Sequence, residues 1–421
     1  MLRSRLWSII VVMSILTACG PREPEPTPTA LPSPTPIPTL TPTPTPAPNC
    51  PVPKPDAAWI APPDFTGYPD AIGAYLDAGG SADGLRAILA NASSINSQWG
   101  GVGSFDLTGD GDPEMIVSIY DPLGPVFGPV PGGALLIYGC ADGLAPLLFQ
   151  DAGQRPLLQV KDVGDLIGVG RGGQVATIRS ECGAHTCFDT LDVLGWDGSG
   201  FVSLMSDWLQ MPYPRYALVD LDGDPALEIQ AVGGAIASVG AGPQRTVTEL
   251  WDWNGAQFVR ISHAISPPEY RIHAVHDADD LLLSGNPAGA IEMYNRVIAG
   301  DTLKDWLAEV GVEKPDDRAN LTAYAWYRIM IADAWLGDLA SAQAALDRLN
   351  ADFPAGGPGH AYQQLAQVFW LKYQETNDLG AACRAANAQA NDETAALDGL
   401  NAFGYANRQY VAADMCPFWG P

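Results

Sequence analysis

The pattern of apolar and polar positions divides the chain into four segments with different structural predictions. Residues 1–19 contain a short apolar stretch that is followed by a cysteine. Residues 20–55 are dominated by proline and threonine. In residues 56–266, two short helical patterns are followed by brief apolar runs between glycine-, aspartate- and proline-rich turns. In residues 267–421 the apolar positions recur at helical spacing. The pattern therefore predicts an α+β protein of several domains, with a β-rich region before a helical one.

The first segment has the features of an export signal. Arg3 and Arg5 precede an uncharged, mostly apolar stretch from Leu6 to Ala18, which is too short to cross about 30 Å of hydrocarbon. It ends in Leu-Thr-Ala-Cys at residues 16–19 and resembles the lipobox of bacterial lipoproteins. The resemblance implies that Cys19 is diacylated and anchors an exported protein to the membrane, at the cell surface or the periplasmic face. The alternatives are an ordinary signal peptide with a chance cysteine, or an uncleaved anchor.

Residues 20–55 form the predicted tether. Threonine-proline pairs such as TPTPTPAP recur along it. Proline fixes φ and lacks an amide donor, so the segment favours extended polyproline II over helix or sheet. At about 3.1 Å per residue such a tether reaches on the order of 100 Å.

The β-rich region repeats itself. Helical patterns at 68–78 and 82–92 lead into β-like runs such as MIVSIY and TELWDW. Asp142-Gly143, Asp197-Gly198 and Asn254-Gly255 align in three similar segments, and each pair is typical of a two-residue hairpin turn. Repetition of this kind predicts blade-like or sandwich-like units that bury their faces against one another, although three units are too few for an ordinary closed propeller.

Helical hairpins are predicted beyond residue 267. Turns at Gly285-Asn286, Gly337-Asp338 and Asn377-Asp378 each separate two helical patterns, and a small residue follows each turn. This arrangement resembles tetratricopeptide repeats over roughly residues 270–395. The resemblance implies a groove that binds a protein or peptide segment.

Two acidic loops are the strongest candidate sites, DLTGDGDPE at 106–114 and DLDGDPALE at 220–228. Oxygen-bearing side chains stand at alternate positions, as calcium sites require, and a carbonyl at the seventh position is a further candidate. The loops resemble the calcium loops of FG-GAP and VCBS-type β repeats, although Glu replaces the final Asp and Pro225 replaces a glycine. The alternative is a pair of solvated acidic turns. The predicted calcium ligands are Asp106, Thr108, Asp110, Asp112, Glu114, Asp220, Asp222, Asp224, Ala226 and Glu228.

Composition narrows the possible partners and the redox environment. The net charge of −26 disfavours binding to nucleic acid. Apart from Cys19, six cysteines remain, an even number that suggests disulfides in an exported chain with 15 possible pairings. The short turn between two of them favours Cys182–Cys187. Cys383–Cys416 lies within the helical region, which leaves Cys50–Cys140.

The sequence carries no convincing catalytic motif. Gly168 to Gly173 matches a dinucleotide glycine pattern, but a β-like run follows it where a helix is needed. His273 and His276 are interpreted as surface polarity. The leading hypothesis is therefore a binding or scaffolding lipoprotein rather than an enzyme, and the alternative is an extracytoplasmic hydrolase that acts on glycans.

Replacing Cys19 with alanine should abolish lipid attachment, because the acyl chains require its thiol. Metabolic labelling with a palmitate analogue measures this, and Cys50→Ala is the control that should keep the label. Labelled Cys19→Ala protein would show that the lipidation site lies elsewhere.

Overall fold

The computed structural model of the chain describes residues 49–312 and 316–416. The predicted signal peptide, Cys19 and most of the tether lie outside these residues. Among the helices within them, none combines the length and the apolar character needed to cross a membrane. The described chain is α+β, with antiparallel sheets between residues 101 and 265 and helices before and after them.

Two short helices precede the sheets, close to the predicted positions. They are α1 (Tyr68–Asp77) and α2 (Ala82–Asn91). Ser81 caps α2, since its hydroxyl accepts a hydrogen bond from the amide of Gly84 at 3.1 Å. Their apolar faces share one buried cluster with the first sheet, so the helices cover one face of that sheet.

Three sheets follow along the chain, and each contains an up-and-down run of four antiparallel strands. Sheet 1 contains β1 (Gly101–Phe105), β2 (Glu114–Tyr120), β5 (Gly133–Tyr138) and β6 (Leu147–Asp151), and a ribbon of β3 (Val126–Phe127) and β4 (Val130–Pro131) is inserted between β2 and β5. Sheet 2 contains β7 (Gln159–Gly164), β8 (Gln174–Cys182), β9 (Cys187–Trp196) and β10 (Phe201–Ser203), with β11 (Leu209–Pro212) also paired to β9. Sheet 3 contains β12 (Arg215–Val219), β13 (Glu228–Gly233), β14 (Val247–Trp253) and β15 (Phe258–Ile265).

The sheets stack face to face in chain order. In β2, Val117 belongs to the cluster shared with α1 and α2, whereas Ile116 belongs to a cluster shared with sheet 2. In β8, Val175 belongs to that same cluster, whereas its neighbour Ala176 joins a cluster with Ile229 of sheet 3. Successive residues of a strand point to opposite faces, so sheets 1 and 2 each bury both faces against neighbouring layers, and sheet 3 packs one face on sheet 2.

The three predicted hairpin turns all connect neighbouring strands, but only one has the predicted geometry. Asp142 and Gly143 both have positive φ, 52° and 77°, as a two-residue turn requires. At the other two sites the loop has four residues, and the side chain stabilises it. Asp197 accepts bonds from the amides of residues 199 and 200, and Asn254 accepts from those of 256 and 257.

The helical region contains the three predicted hairpins. They are α3 (Arg271–Leu283) with α4 (Pro287–Ala299), α6 (Asp317–Leu336) with α7 (Leu339–Asp352), and α8 (His360–Thr376) with α9 (Leu379–Asp392); a short α5 (Trp306–Glu309) precedes α6. Asn286, Asp338 and Asp378 cap the second helix of each pair by accepting an amide hydrogen bond. Helix α6 packs on both α3 and α8. The three first helices therefore share one side of the region, the first-helix face.

The end of the chain covers this first-helix face. The C-terminal segment comprises residues 395–416 and begins with α10 (Ala395–Asn401). Tyr362 of α8 donates a hydrogen bond to the carbonyl of Ala396 at 2.7 Å, and Arg328 of α6 donates to that of Met415 at 3.0 Å. The Cys383–Cys416 disulfide ties the segment to α9. The repeat resemblance implies a groove along the first helices. In this protein the C-terminal segment occupies that position.

A buried carboxylate joins the C-terminal segment to the helices. Asp279 of α3 is 1% exposed. It accepts hydrogen bonds from the hydroxyls of Tyr294, Tyr324 and Tyr410 and from Nε of Arg328, which is also 1% exposed. These partners come from α4, α6 and the C-terminal segment, so a single ion pair fixes four parts of the region.

The C-terminal segment also binds the β-rich region. The amides of Tyr405 and Ala406 donate to the carbonyls of Gly240 and Ala241 at 3.1 and 3.2 Å. A Cβ on Gly242, whose φ is +81°, would lie 1.6 Å from the carbonyl oxygen of Phe403. Only glycine permits both the backbone conformation and this approach.

Disulfide bonds are present, as predicted. The three pairs are the ones favoured above: Cys50–Cys140, Cys182–Cys187 and Cys383–Cys416. The first ties the start of the described chain to the β5–β6 connection, and the second closes the β8–β9 hairpin.

Replacing Asp279 with alanine should destabilise the helical region by about 3–5 kcal/mol, because the buried guanidinium of Arg328 would lose its carboxylate counter-ion. Asp280→Ala is the matched control. Asp280 is mostly exposed and pairs with Arg408 at the surface, and such pairs contribute about 0–1 kcal/mol. Urea denaturation followed by helical circular dichroism measures both variants, and equal losses would contradict a central role for Asp279.

Candidate metal centre

The two acidic loops occupy the same place in their sheets, and a third loop shares it. Residues 106–113 connect β1 to β2, residues 165–173 connect β7 to β8, and residues 220–227 connect β12 to β13. All three begin with Asp-Leu, followed two residues later by glycine. This shared start is the sequence signal by which the third loop could have been found. The glycine-rich stretch 168–173 belongs to the third loop, between β7 and β8. Strand β8 follows it directly, where a dinucleotide-binding site would need a helix.

The first aspartate of each loop holds the turn in shape. Asp106 accepts hydrogen bonds from the amides of Gly109 and Gly111, at 2.7 and 3.1 Å. Asp165 does the same with the amides of residues 169 and 170. Asp220 accepts from the amide of residue 223 at 2.7 Å. Each aspartate thus satisfies amides that the sharp turn leaves without strand partners.

The first residue of the following strand reaches back to the same loop. The Oε2 atom of Glu114 accepts from the amides of residues 107 and 108, and the Oε2 atom of Glu228 accepts from that of residue 221. Gln174 makes the equivalent bonds to the amides of residues 166 and 167 with its neutral Oε1. An uncharged side chain performs this role in sheet 2, so the backbone contact does not itself require a carboxylate.

In loop 106–114 the predicted ligands are engaged with one another and with the backbone. Glu114 has both oxygens occupied, since Oε1 also accepts from the hydroxyl of Thr108 at 3.2 Å. Both oxygens of Asp106 accept amides, and Asp110 accepts the amide of Asp112 at 2.8 Å. Among the described acidic, histidine and cysteine side chains, this loop contributes no group of three with converging ligand atoms.

Loop 220–228 is different, because three of its carboxylates converge. Oxygens of Asp220, Asp222 and Glu228 all lie within 4.8 Å of one another. Glu228 is 2% exposed, and its Oε1 is buried without a hydrogen-bond partner. Asp224 instead accepts the amide of Ala226 at 2.7 Å and lies outside this group. The loop therefore holds a buried carboxylate oxygen beside two further acids.

A fourth acid, which the sequence analysis missed, faces the same place. In the β13–β14 ladder Ile229 pairs with Trp251, so Asp252 lies next to Glu228. Its Oδ1 is also buried without a partner. At the corresponding ladder positions of sheets 1 and 2 the chain has Gly139 and Gly195. The acid beside the loop is thus specific to sheet 3, and only the strand register reveals it.

The electrostatics of these acids are unfavourable in the absence of a cation. Burial raises the pKa of Glu228, and the nearby charges of Asp222, Asp252 and Asp224 raise it further. Among the described residues, no lysine, arginine or histidine forms an ion pair with any of these four acids. The arrangement offers only carboxylate oxygens, which are the ligands of hard divalent cations.

Of the two histidines interpreted above as surface polarity, His273 is in fact buried and His276 is half-buried. His273 is 2% exposed, and one of its ring nitrogens lies 3.2 Å from the carbonyl oxygen of Pro243. Burial lowers the pKa of His276 to about 4, and the charge of Arg408 contributes. Helix α3 packs against the β-rich region and the C-terminal segment at this point, contacts that its own sequence pattern cannot show. Both imidazoles are therefore neutral parts of a packed junction.

Comparison with known protein families, with characterised proteins and with solved structures finds no match for this chain.

The pH dependence of stability should reveal the unfavourable burial and charge repulsion at the Glu228 carboxylate. An unfolded glutamate has a pKa of about 4.3, and the folded-state pKa is higher. Without metal, stability should therefore fall as the pH rises from about 4 through the folded-state pKa of Glu228. Glu228→Gln retains the acceptor for the amide of Leu221, as Gln174 does in its own loop. In chelator it should raise the melting temperature at pH 7.5 and have little effect at pH 4.

Glu249 in the same sheet provides a control of opposite sign. Burial raises its pKa, but hydrogen bonds from His263, Trp251 and Arg260 outweigh burial and hold the pKa below its ordinary value. Glu249→Gln should therefore lower the melting temperature at pH 7.5. A Glu228→Gln variant that is destabilised in the same way would show that its carboxylate is not under repulsion.

Proposed function

We propose that this protein is an exported, lipid-anchored binding module whose β-rich region is stabilised by one calcium ion. The observation that carries the calcium assignment is the convergence of Asp220, Asp222 and Glu228, whose Oε1 is buried without a hydrogen-bond partner. On the neighbouring strand, Asp252 carries a second buried oxygen without a partner. Leaving such groups unpaired costs free energy, and a bound cation would recover it.

Calcium fits this site better than other common cations. Zinc prefers nitrogen and sulfur ligands, and the cluster contains neither. Magnesium requires a near-ideal octahedron at about 2.0–2.1 Å, whereas calcium accepts six to eight oxygens in flexible geometry. An irregular loop that contributes Asp220 and Asp222, together with strand residues from β13 and β14, suits the ion with the more flexible coordination geometry.

The finer identity of the two regions is part of the proposal. Three stacked sheets, each with an Asp-Leu-x-Gly loop between its first two strands, support blade-like repeats of the FG-GAP or VCBS kind. The paired helices with capped turns support the resemblance to tetratricopeptide repeats. Disulfides support an oxidising compartment outside the cytoplasm, where the predicted anchor at Cys19 and the tether would hold both regions away from the membrane.

For the helical region we propose a protein or peptide partner. The C-terminal segment covers the first-helix face, so the partner surface proposed is the opposite side, where Asn295, Trp326 and Arg348 border an open groove between α4, α6 and α7. An acidic chain with a net charge of −26 suits a partner other than nucleic acid.

A glycan-acting hydrolase is the second candidate, and a cleft in sheet 2 favours it. Asp192 and Asp207 line a cavity of about 400 Å³ beside Trp208, whose side chain is 79% exposed. Burial raises the pKa of Asp192, against a hydrogen bond from Ser203, and a raised pKa suits a general acid. Release of reducing sugars from peptidoglycan, tested with Asp192→Asn, decides between this activity and binding alone.

Millimolar calcium should raise the melting temperature of the β-rich region, and a chelator should lower it. Extracellular calcium modules bind at about 10⁻⁴–10⁻³ M, so about 10 mM calcium is a roughly ten- to hundredfold excess over Kd and stabilises by about 1.4–2.7 kcal/mol. Asp222→Asn should remove most of this response, and Asp252→Asn should weaken it. Calorimetric titration should give one site per chain.

Asp110→Asn in the first acidic loop is the matched control. Asp110 accepts the amide two residues ahead, just as Asp222 does, and the substitution removes the same charge. It should leave the calcium response intact. If Asp110→Asn removes the calcium response and Asp222→Asn does not, the ion binds in loop 106–114 instead of loop 220–228. If calcium does not change the melting temperature of the wild type, the proposed site is rejected.

A further inference from the structure

The interface between sheets 1 and 2 contains a pocket at one edge. Over most of the interface, apolar side chains such as Ile116, Leu135, Val175 and Leu194 fill the space between the two sheets. Beside the edge strands β1 and β7, a cavity of about 430 Å³ remains. Small-molecule sites in proteins commonly have volumes of about 300–1,000 Å³, so the cavity has the size of a ligand site.

Two glycines of β1 keep this space open. Gly101 and Gly103 lie on the same face of the strand, toward sheet 2, and both line the pocket. A Cβ on either residue would meet no atom within 4 Å, and neither has positive φ. By contrast, a Cβ on Gly133 of β5 would lie 2.3 Å from a carbonyl oxygen, so packing explains that glycine.

Neither backbone geometry nor packing thus requires Gly101 or Gly103. Glycine within a strand is destabilising relative to alanine. Such glycines often mark a place where a ligand or another backbone approaches closely. The open space above them is therefore the feature that the two glycines preserve.

A buried hydroxyl without a partner lies at the floor of the same pocket. Ser118 of β2 pairs with Gly101 across the ladder and is 5% exposed. Its Oγ is buried and has no hydrogen-bond partner. A hydroxyl can donate one hydrogen bond and accept two, and burying it unsatisfied is unfavourable. This independent observation indicates that a polar group of a ligand belongs above Gly101.

The chemistry of the lining defines the ligand class. The walls carry the ring of Phe105 and the side chains of Val160 and Val163, and the amides of Gln98 and Gln159 supply further hydrogen-bonding groups. No acidic or basic side chain is among the lining residues, although the chain carries a net charge of −26. A charged ligand would find no counter-ion there, whereas a neutral ligand with hydroxyl or amide groups and an apolar face fits.

We infer that this glycine-floored pocket binds a neutral saccharide of one or two rings. The apolar face of a pyranose packs on Phe105 and the valines, and its hydroxyl or acetamido groups bond to Ser118, Gln98 and Gln159. The site is separate from the calcium site of sheet 3 and does not depend on it.

The test uses the full mature chain and ligand-observed saturation-transfer NMR. The probes are N-acetylglucosamine, its β-1,4 dimer, glucose and maltose, with glucuronic acid as the charged counterpart. At least one neutral probe should bind the wild type, and glucuronic acid should not. Gly103→Val should remove the signal by filling the pocket, and Ser118→Ala should weaken binding at least tenfold. Gly200→Val is the control, since Gly200 also has open space and ordinary φ but lies in the β9–β10 loop.

Melting temperatures without ligand provide a second readout that does not depend on the probe. Gly103→Val should raise the melting temperature, because a strand glycine is replaced by a strand-favouring residue in empty space. Ser118→Ala should leave it unchanged or raise it, because an unsatisfied hydroxyl is removed. If Gly103→Val lowers the melting temperature, the glycine is structural and the pocket is not a binding site. If no neutral probe gives a signal that Gly103→Val removes, the saccharide assignment is wrong.

Discussion

The burial of a single carboxylate determines the arrangement of the helical region. A charged group such as Asp279 is strongly unfavourable in a protein interior unless donors surround it. Three tyrosine hydroxyls and Arg328 provide these donors, and they come from separate helices and from Tyr410 near the chain's end. Apolar contacts between the hairpins are non-directional, whereas hydrogen bonds to a buried carboxylate have defined geometry. The requirement to satisfy Asp279 selects the arrangement in which all donors meet, and it draws the C-terminal segment across the first helices.

The β-rich region shows how one loop design acquires different roles. In each sheet an aspartate caps the turn between the first two strands. The first side chain of the second strand braces the same turn by accepting hydrogen bonds from its amides. In sheet 2 the brace is Gln174, and in sheet 1 both oxygens of Glu114 are occupied by the loop itself. In sheet 3 Glu228 accepts a hydrogen bond from only one loop amide, that of Leu221. Its other carboxylate oxygen is buried without a partner, next to Asp252 on the neighbouring strand. The scaffold is thus shared, and the proposed cation site lies where the acids exceed what the backbone can satisfy.

Local sequence signals predicted most of the secondary structure. Asx caps such as Asp338 define where the helices begin, and glycine turns mark the hairpins, because both act within a few residues. The acidic loop at Asp220 could be located for the same reason. Asp252, the burial of His273 and the path of the C-terminal segment could not, since each depends on residues distant in the sequence. Strand register brings Asp252 to Glu228, and no periodicity in a single segment encodes that contact.

The position of Tyr410 has a consequence for the order in which the chain acquires its structure. Synthesis delivers the N-terminal end first, and domains generally fold as units in that order. The three helical hairpins emerge before Tyr410 and Cys416 are available, so Asp279 lacks one of its hydrogen-bond donors until Tyr410 has been synthesised. The Cys383–Cys416 bond can form only later still, since it joins α9 to the C-terminal segment. A chain truncated before Tyr410 would therefore lack one of the groups that satisfy the buried carboxylate.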